Sequence, residues 1–255
     1  MTADAIVEVR GIGKTYATGV EALRGVDVRF PRGRLSSILG PSGCGKTTLL
    51  KIIGGLVRPT AGETRVEGRI VAGPGPERAF VFQDFALLPW ATVLRNVAFG
   101  LELRGVSREQ RQAVARQRIA EVGLAGFEES YPHQLSGGMR QRVGLARALA
   151  VDAEIILMDE PFSSVDEQTR RKFQEDLLLL LRDRTKTVIF VTHSIEEAVY
   201  LSDQVVLLSP RPGSVSRIVE PGIERGRRSP DEIRRDKNYL DAVDEIWQIL
   251  KRYVA

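Results

Sequence analysis

Three regimes of hydrophobic and polar spacing succeed one another along the chain. In the first, apolar and polar residues alternate over short runs, "AIVEVRGIG", "GVDVRF" and "RLSSILG", and this period of two predicts strands separated by turns. The spacing becomes helical in "KTTLLKIIGGL", a helix expected to end near Gly54 and Gly55. "ETRVEGRIV" predicts a small hairpin, and "ERAFVFQ" a strand ending at Gln83.

Between Asp84 and Ala150 the spacing is mostly helical. Ser107 with Gln110 three positions on reads as a capping box, with Val114, Ile119 and Val122 behind it. After "LSGGM", Val143, Ala146 and Leu149 recur at helical intervals. From Glu154 strands and helices alternate: "EIILMDE", a helix from about Asp166 to Asp183, "KTVIFVTH", "SIEEAVYLS" and "QVVLLS". Such alternation implies a mostly parallel, covered sheet. The predicted fold is therefore α/β, a parallel core with an N-terminal antiparallel β portion and an inserted helical segment. Residues 1–83 and 151–215 read as the core, 84–150 as the helical part of the same domain, and 216–255 as a tail. The tail reads as loop from Pro210, then one helix opened by Ser229-Pro230-Asp231-Glu232. Ile233, Leu240, Val243, Trp247 and Leu250 share a face of that helix, expected to pack on the chain's own domain.

Composition changes this picture little. With 43% hydrophobic and 27% charged residues the chain is an ordinary water-soluble one. A net charge of +4 is compatible with weak attraction to an acidic membrane surface or a polyanionic ligand. Cys44 is the only cysteine, which excludes an intrachain disulfide and suits the cytosol. No charged-then-apolar leader opens the chain, and runs such as "DLLLLLR" fall short of the roughly 18 apolar residues a membrane span needs. Any membrane work would need spans from another chain. Arg225, Arg227 and Arg228 read as a solvated basic loop.

The candidate chemistry begins at "GPSGCGKTT". Gly40, Pro41, Ser42, Gly43, Cys44, Gly45, Lys46 and Thr47 fit G-x-x-x-x-G-K-[ST] between a strand and a helix, with Thr48 following. Glycines let the backbone curl so that its N–H groups face a phosphate, Lys46 neutralises phosphate charge, and the Thr47 hydroxyl can ligate Mg²⁺. Cys44 lies inside this loop, so a thiol reagent is expected to block nucleotide binding. "IILMDE" is an apolar strand ending in two carboxylates, a costly pattern without a function: Asp159 would hold Mg²⁺ through water and Glu160 would act as general base. His193 ends the next strand, and ligands of open α/β sheets gather at such strand ends, where Lys46, Gln83 and Asp159 also sit. His133 reads as structural. "LSGGM" is a second phosphate-ready turn ahead of a helix, but it carries no lysine.

Assembled in order, these residues resemble the ATPase subunits of ABC transporters over roughly Val7 to Pro210. The resemblance implies a P-loop NTPase fold, a Walker A at Gly40 to Thr47, a Q-loop at Gln83 serving metal and catalysis, a signature at Leu135 to Met139, a Walker B ending at Glu160, a D-loop from Ser163 to Asp166, and an H-loop at His193. Tyr16 matches the aromatic that stacks on adenine. ATP and Mg²⁺ are the implied ligands. The lysine-free turn is then explained, because in this family two copies close head to tail over two nucleotides. Ser136, Gly137 and Gly138, with Asp166 nearby, would serve the neighbour's ATP in trans. Met139 stands where the family pattern has Gln, and Ser164-Val165 where it has Ala-Leu.

"FQDFALLPWATVLRNVAFGLELRG" looks like the segment that cradles a helix of a membrane subunit. With "YPHQLSGGMRQRVGLARAL" and "LSPRPG" it is similar to ATPases of the nitrate, sulfonate and taurine importers. The resemblance implies integral membrane permease subunits as partners, a solute-binding protein indirectly, a peripheral place on the cytoplasmic face of the membrane, and no nucleic acid. The alternatives are a soluble ABC ATPase of nucleic-acid or translation processes and a nucleotide-switched scaffold without turnover. The transported solute is not legible in the sequence.

Overall fold

The computed structural model describes residues 4–163, 166–181, 186–225 and 228–253. The first elements are β1 (Ala5–Thr15), β2 (Glu21–Pro31), β3 (Leu35–Leu39), α1 (Lys46–Ile53), β4 (Ala61–Val66), β5 (Arg69–Ile70) and β6 (Arg78–Val81). Then come α2 (Val93–Leu103), α3 (Arg108–Glu121), α4 (Gly137–Ala150), β7 (Ile155–Asp159), α5 (Glu167–Leu180) and β8 (Thr187–Val191). The last are α6 (Ile195–Leu201), β9 (Gln204–Leu208), β10 (Val215–Val219), α7 (Pro230–Arg234) and α8 (Lys237–Lys251). They form two compact units, one of residues 1–75 and 184–255, the other of residues 76–183.

In the first unit, β1 pairs antiparallel with β2 and β4, and β4 with β5, giving one sheet of alternating buried and exposed positions. A second layer centres on β3, which runs parallel to β8 on one side and β9 on the other. β3, β8 and β9 are buried at every position, as covered parallel strands are. α1 packs on β8 and α6 on β3. β10 pairs antiparallel with β9, where the sequence reads as loop; three of its five positions are exposed, and an outer strand carries little hydrophobic signal.

The tail holds two helices where one was predicted, because Asp236 caps a new start: its carboxylate accepts from Asn238 N–H at 2.7 Å. The Ser229 capping box is present on α7. The expected packing face of α8 is not the one buried. Tyr239, Ala242 and Ile246 face inward, while Leu240 and Trp247 are 54% and 55% exposed. Arg225 is also no solvated surface residue. Its Nε donates to Tyr200 O at 2.7 Å, its Nη2 to Ser202 O at 2.6 Å and Val199 O at 3.1 Å, and its Nη1 to Asp203 at 3.1 Å. It thereby satisfies the carbonyls left over at the end of α6. Arg228 pairs with Asp236 at 2.6 Å, and Arg227 lies outside the described residues.

In the second unit β6 and β7 are parallel neighbours, Val81 opposite Met158. α2, α3 and α4 pack on one another and α4 on β6. Ser107 caps α3 by accepting from Gln110 N–H, but the Gln110 side chain accepts from the Ser107 hydroxyl rather than from its backbone, so only half of the expected capping box forms; Ile119 and Val122 are buried behind it. Among the described residues no helix is long and apolar enough to cross a membrane.

Candidate functional site

The first unit contributes the loop of Gly40 to Thr48, between the buried strand β3 and helix α1. Its shape requires glycine at both ends. A β-carbon on Gly40 would stand 2.8 Å from Leu208 O and 2.9 Å from Cys44 Sγ. Gly45 has φ 103°, and a β-carbon there would meet Leu23 Cδ2 at 2.7 Å. Gly45 is also the N-cap of α1 and supplies no side chain to its first turn. Those N–H groups and the helix dipole make an anion seat.

Lys46 is 7% exposed and curls back over the loop, its Nζ donating to Gly40 O and Pro41 O, both at 2.9 Å. Tyr16 stands beside the same loop, its hydroxyl 3.0 Å from Thr48 Oγ1, with Lys14 Nζ 5.2 Å from its ring centre. Cys44 is 1% exposed, and burial pushes its thiol pKa up against the opposing pull of Lys46. Ready reaction with a thiol reagent, expected from its place in the loop, does not suit a group so enclosed.

His193 is exposed at the end of β8, the strand next to β3. Its turn is fixed from both sides. Thr192 N–H donates to Ile38 O at 3.3 Å, the Thr192 hydroxyl donates to the buried Glu197 carboxylate at 2.5 Å, and Ser194 caps α6. Thr192 and Glu197 are supports the sequence reading missed.

The second unit holds the carboxylates. β7 ends at Asp159, 4% exposed, and Glu160 follows at φ 47°. A left-handed glutamate is strained by roughly 1–2 kcal/mol, and such strain concentrates where a side chain must be aimed. Ser163 secures the turn, its N–H and hydroxyl donating to Glu160 O at 3.2 and 3.0 Å. Gln83 follows the neighbouring strand, and its Nε2 donates to Glu160 Oε2 at 3.2 Å. The shared parallel register of β6 and β7 is what brings these two side chains together.

Ser136 is the N-cap of α4, its Oγ accepting from Met139 N–H at 3.3 Å, and Gly137 and Gly138 form the first turn. The motif uses the backbone of Met139, so a change of side chain there leaves the cap intact. Asp166 precedes α5 and its carbonyl accepts from Arg170 N–H at 2.8 Å; Ser164 and Val165 lie outside the described residues. His133 sits in a short turn, stacked on Tyr131. Asn96 and Arg147, which the sequence reading did not single out, anchor the segment after Gln83. Asn96 is fully buried and bonds the backbone of Leu88, Ala91 and Thr92, and Arg147 donates to Phe85 O and Ala86 O.

The donors expected from the sequence, a threonine hydroxyl, a carboxylate and an amide, are hard oxygens of the kind Mg²⁺ takes. Among the described residues there is no cluster of three or more His, Cys, Asp or Glu that could hold a metal unaided. Mg²⁺ bound largely through phosphate oxygens and water needs no such cluster.

A profile of the ABC transporter family matches residues 23–163, more than half of the chain. The chain belongs to the ABC transporter family. It is 50% identical over 91% of its length to an uncharacterized ABC transporter ATP-binding protein of Methanocaldococcus jannaschii, covering 85% of that protein. It is 46% identical over 95% of its length to the taurine import ATP-binding protein TauB of Pseudomonas syringae pv. tomato, covering 94% of it. Among solved structures, the dimeric post-hydrolysis state of an ATP-binding cassette bound to ADP and Pi superposes with a TM-score of 0.76 at 35% identity, over 84% of this chain and 98% of that one. The cassette fold is thus an α/β P-loop core with an antiparallel β portion and a helical portion.

Proposed function

We propose that this cassette is the ATP-binding and ATP-hydrolysing subunit of an importer for a small solute of the nitrate, sulfonate or taurine class. The enzymatic part is carried by a cradle, Lys46 folded over a glycine loop at a helix start, and by a base, Glu160 held in a left-handed turn with Gln83 on its carboxylate. The importer part is supported by 46% identity over nearly the whole chain to a taurine import ATP-binding protein.

In this reading the backbone N–H groups of Gly43 to Thr48 and the Lys46 ammonium bind the phosphates, and Tyr16 supports the base. When bound, Mg²⁺ neutralises phosphate charge, and Thr47, Asp159 and Gln83 are the residues that would hold it. Glu160 accepts the proton of the attacking water, and Gln83 orients it. His193 steadies the γ-phosphate. Two copies close head to tail, and each offers the other Ser136, Gly137, Gly138 and Asp166. The solved relative is dimeric. Loss of the γ-phosphate removes the charge that α4's N-terminus was holding, so the pair reopens and drives the permease subunits. The chain works at the cytoplasmic face of the membrane.

Glu160→Gln tests this. Turnover should fall by about 10²–10⁴-fold, the usual worth of a general base, while ATP is still bound. Membranes solubilised with Mg-ATP should yield the tagged variant together with a multi-span protein. Hydrolysis at the wild-type rate would sink the assignment of Glu160. Recovery with soluble partners or nucleic acid alone would sink the importer reading.

A further inference from the structure

The segment after β6 takes a course that its own residues disfavour. Phe85 N–H donates to Phe82 O at 2.9 Å, closing a turn with Gln83 and Asp84 at its centre. Phe85 and Ala86 follow at φ 63° and 42°. Crowding between a β-carbon and the carbonyl makes one left-handed residue costly, and two in succession persist only where the surroundings over-determine them.

The surroundings here are α4. Arg147 reaches back from the last turn of that helix, its Nη2 donating to Phe85 O and its Nη1 to Ala86 O, both at 2.7 Å. The planar guanidinium fork matches two adjacent carbonyls, which a lysine could not serve together. Phe85 is 8% exposed. A β-carbon on Gly144, one turn earlier on α4, would lie 4.0 Å from Phe85 O, so helix and turn are in close approach. Burial lowers the Arg147 pKa, and the Asp84 carboxylate partly offsets this; the pair of carbonyls therefore holds a desolvated cation.

We infer that Arg147 is a positioning residue for ATP hydrolysis: by fixing the Phe85 and Ala86 carbonyls it holds the turn in the shape that aims Gln83 at Glu160. The inference rests on the ATPase reading above. It also gives α4 two functional ends. Ser136 caps the N-terminus offered to the neighbour's nucleotide, and Arg147, eleven residues and about 16 Å along the same rigid helix, grips the Gln83 turn. Engagement of a phosphate at one end is thereby passed to Gln83 and Glu160 at the other. Arg147 touches neither nucleotide nor water.

The test uses the full chain with Arg147→Ala and the milder Arg147→Lys. Wild-type turnover of Mg-ATP is measured first, and its absence would refute the ATPase reading rather than the clamp. In Arg147→Ala, kcat should fall by about 10- to 100-fold, as misplacement of about 1 Å does, with KM for ATP changed less than about threefold. In a Gln83→Ala background the further loss should be under about twofold, because one residue acts through the other. Hydrogen exchange at Phe85 to Leu88 should quicken at least about tenfold while α4 stays protected. Unchanged exchange, or losses that simply multiply in the double variant, would overturn the inference. If the alanine variant fails to fold, the lysine variant carries the same comparisons with smaller effects.

Discussion

Replacing Asn96 by leucine is expected to destabilise the helical unit by about 4 kcal/mol, and the figure can be built up bond by bond. Asn96 sits on α2 with no exposed surface. Its Oδ1 accepts from Leu88 N–H at 2.8 Å, and its Nδ2 donates to the carbonyls of Ala91, Leu88 and Thr92 at 3.0, 3.1 and 3.1 Å. Two of these carbonyls have a second donor, since Ala91 N–H reaches Leu88 O and Asn96 N–H reaches Thr92 O. Leucine keeps the number and branching of the side-chain heavy atoms but strips the Leu88 N–H and the Ala91 carbonyl of the partners they have here. The Ala91 carbonyl is buried and the Leu88 N–H part-buried; an orphan of this kind costs about 1–3 kcal/mol, so two cost about 4 kcal/mol. At roughly 2–4 °C per kcal/mol for a chain of this size, the melting transition should drop by roughly 8–16 °C. Trp90, 71% exposed in the pinned loop, reports the event when Trp247→Phe removes the other tryptophan. A Trp90 transition within 2 °C (about half a kcal/mol) of the parent would refute the reasoning. It would mean that water satisfies both groups once the amide is gone.

Two further outcomes follow from buried groups. Cys44 should react with a maleimide at neutral pH at least about tenfold more slowly than in the unfolded chain, because its raised pKa depletes the thiolate and burial excludes the reagent. Above the ordinary thiol pKa the unfolded chain sheds a proton that the folded one retains, so this group's contribution to stability declines as pH rises through that window; equal labelling rates in folded and unfolded chain would refute the assignment. Arg225→Met should cost about 1–3 kcal/mol in a denaturant melt, since it takes a charged donor from Asp203 and from the carbonyls at the end of α6. A loss below about 1 kcal/mol, the worth of a surface pair, would show that the contact is merely superficial.

Local chemistry made much of this protein legible. The phosphate loop needs glycines at set intervals and a lysine between strand and helix, and those constraints are confined to Gly40 through Thr48. The caps at Ser107, Ser136, Ser194 and Ser229 work over three residues and could be read the same way. Buried parallel strands announce themselves as apolar runs, which placed Asp159 and His193 at strand ends.

What only the tertiary structure decided has its cause at long range. Arg147 looks like any polar helix residue until the chain brings Phe85 and Ala86, 62 and 61 residues away, under its guanidinium. Arg225 reads as part of a basic loop until α6 presents the carbonyls of its last turn to it. α8 carries two apolar stripes, and a period of 3.6 cannot choose between them. Packing against α6, with Arg234 4.8 Å over the Tyr200 ring nearby, selects Tyr239, Ala242 and Ile246 and leaves Leu240 and Trp247 outside. The sequence by itself determined the fold class and the order of the motifs, because each depends on neighbours along the chain. Which polar side chains become anchors, and which way Glu160 turns, depended on groups that meet only once the chain has folded.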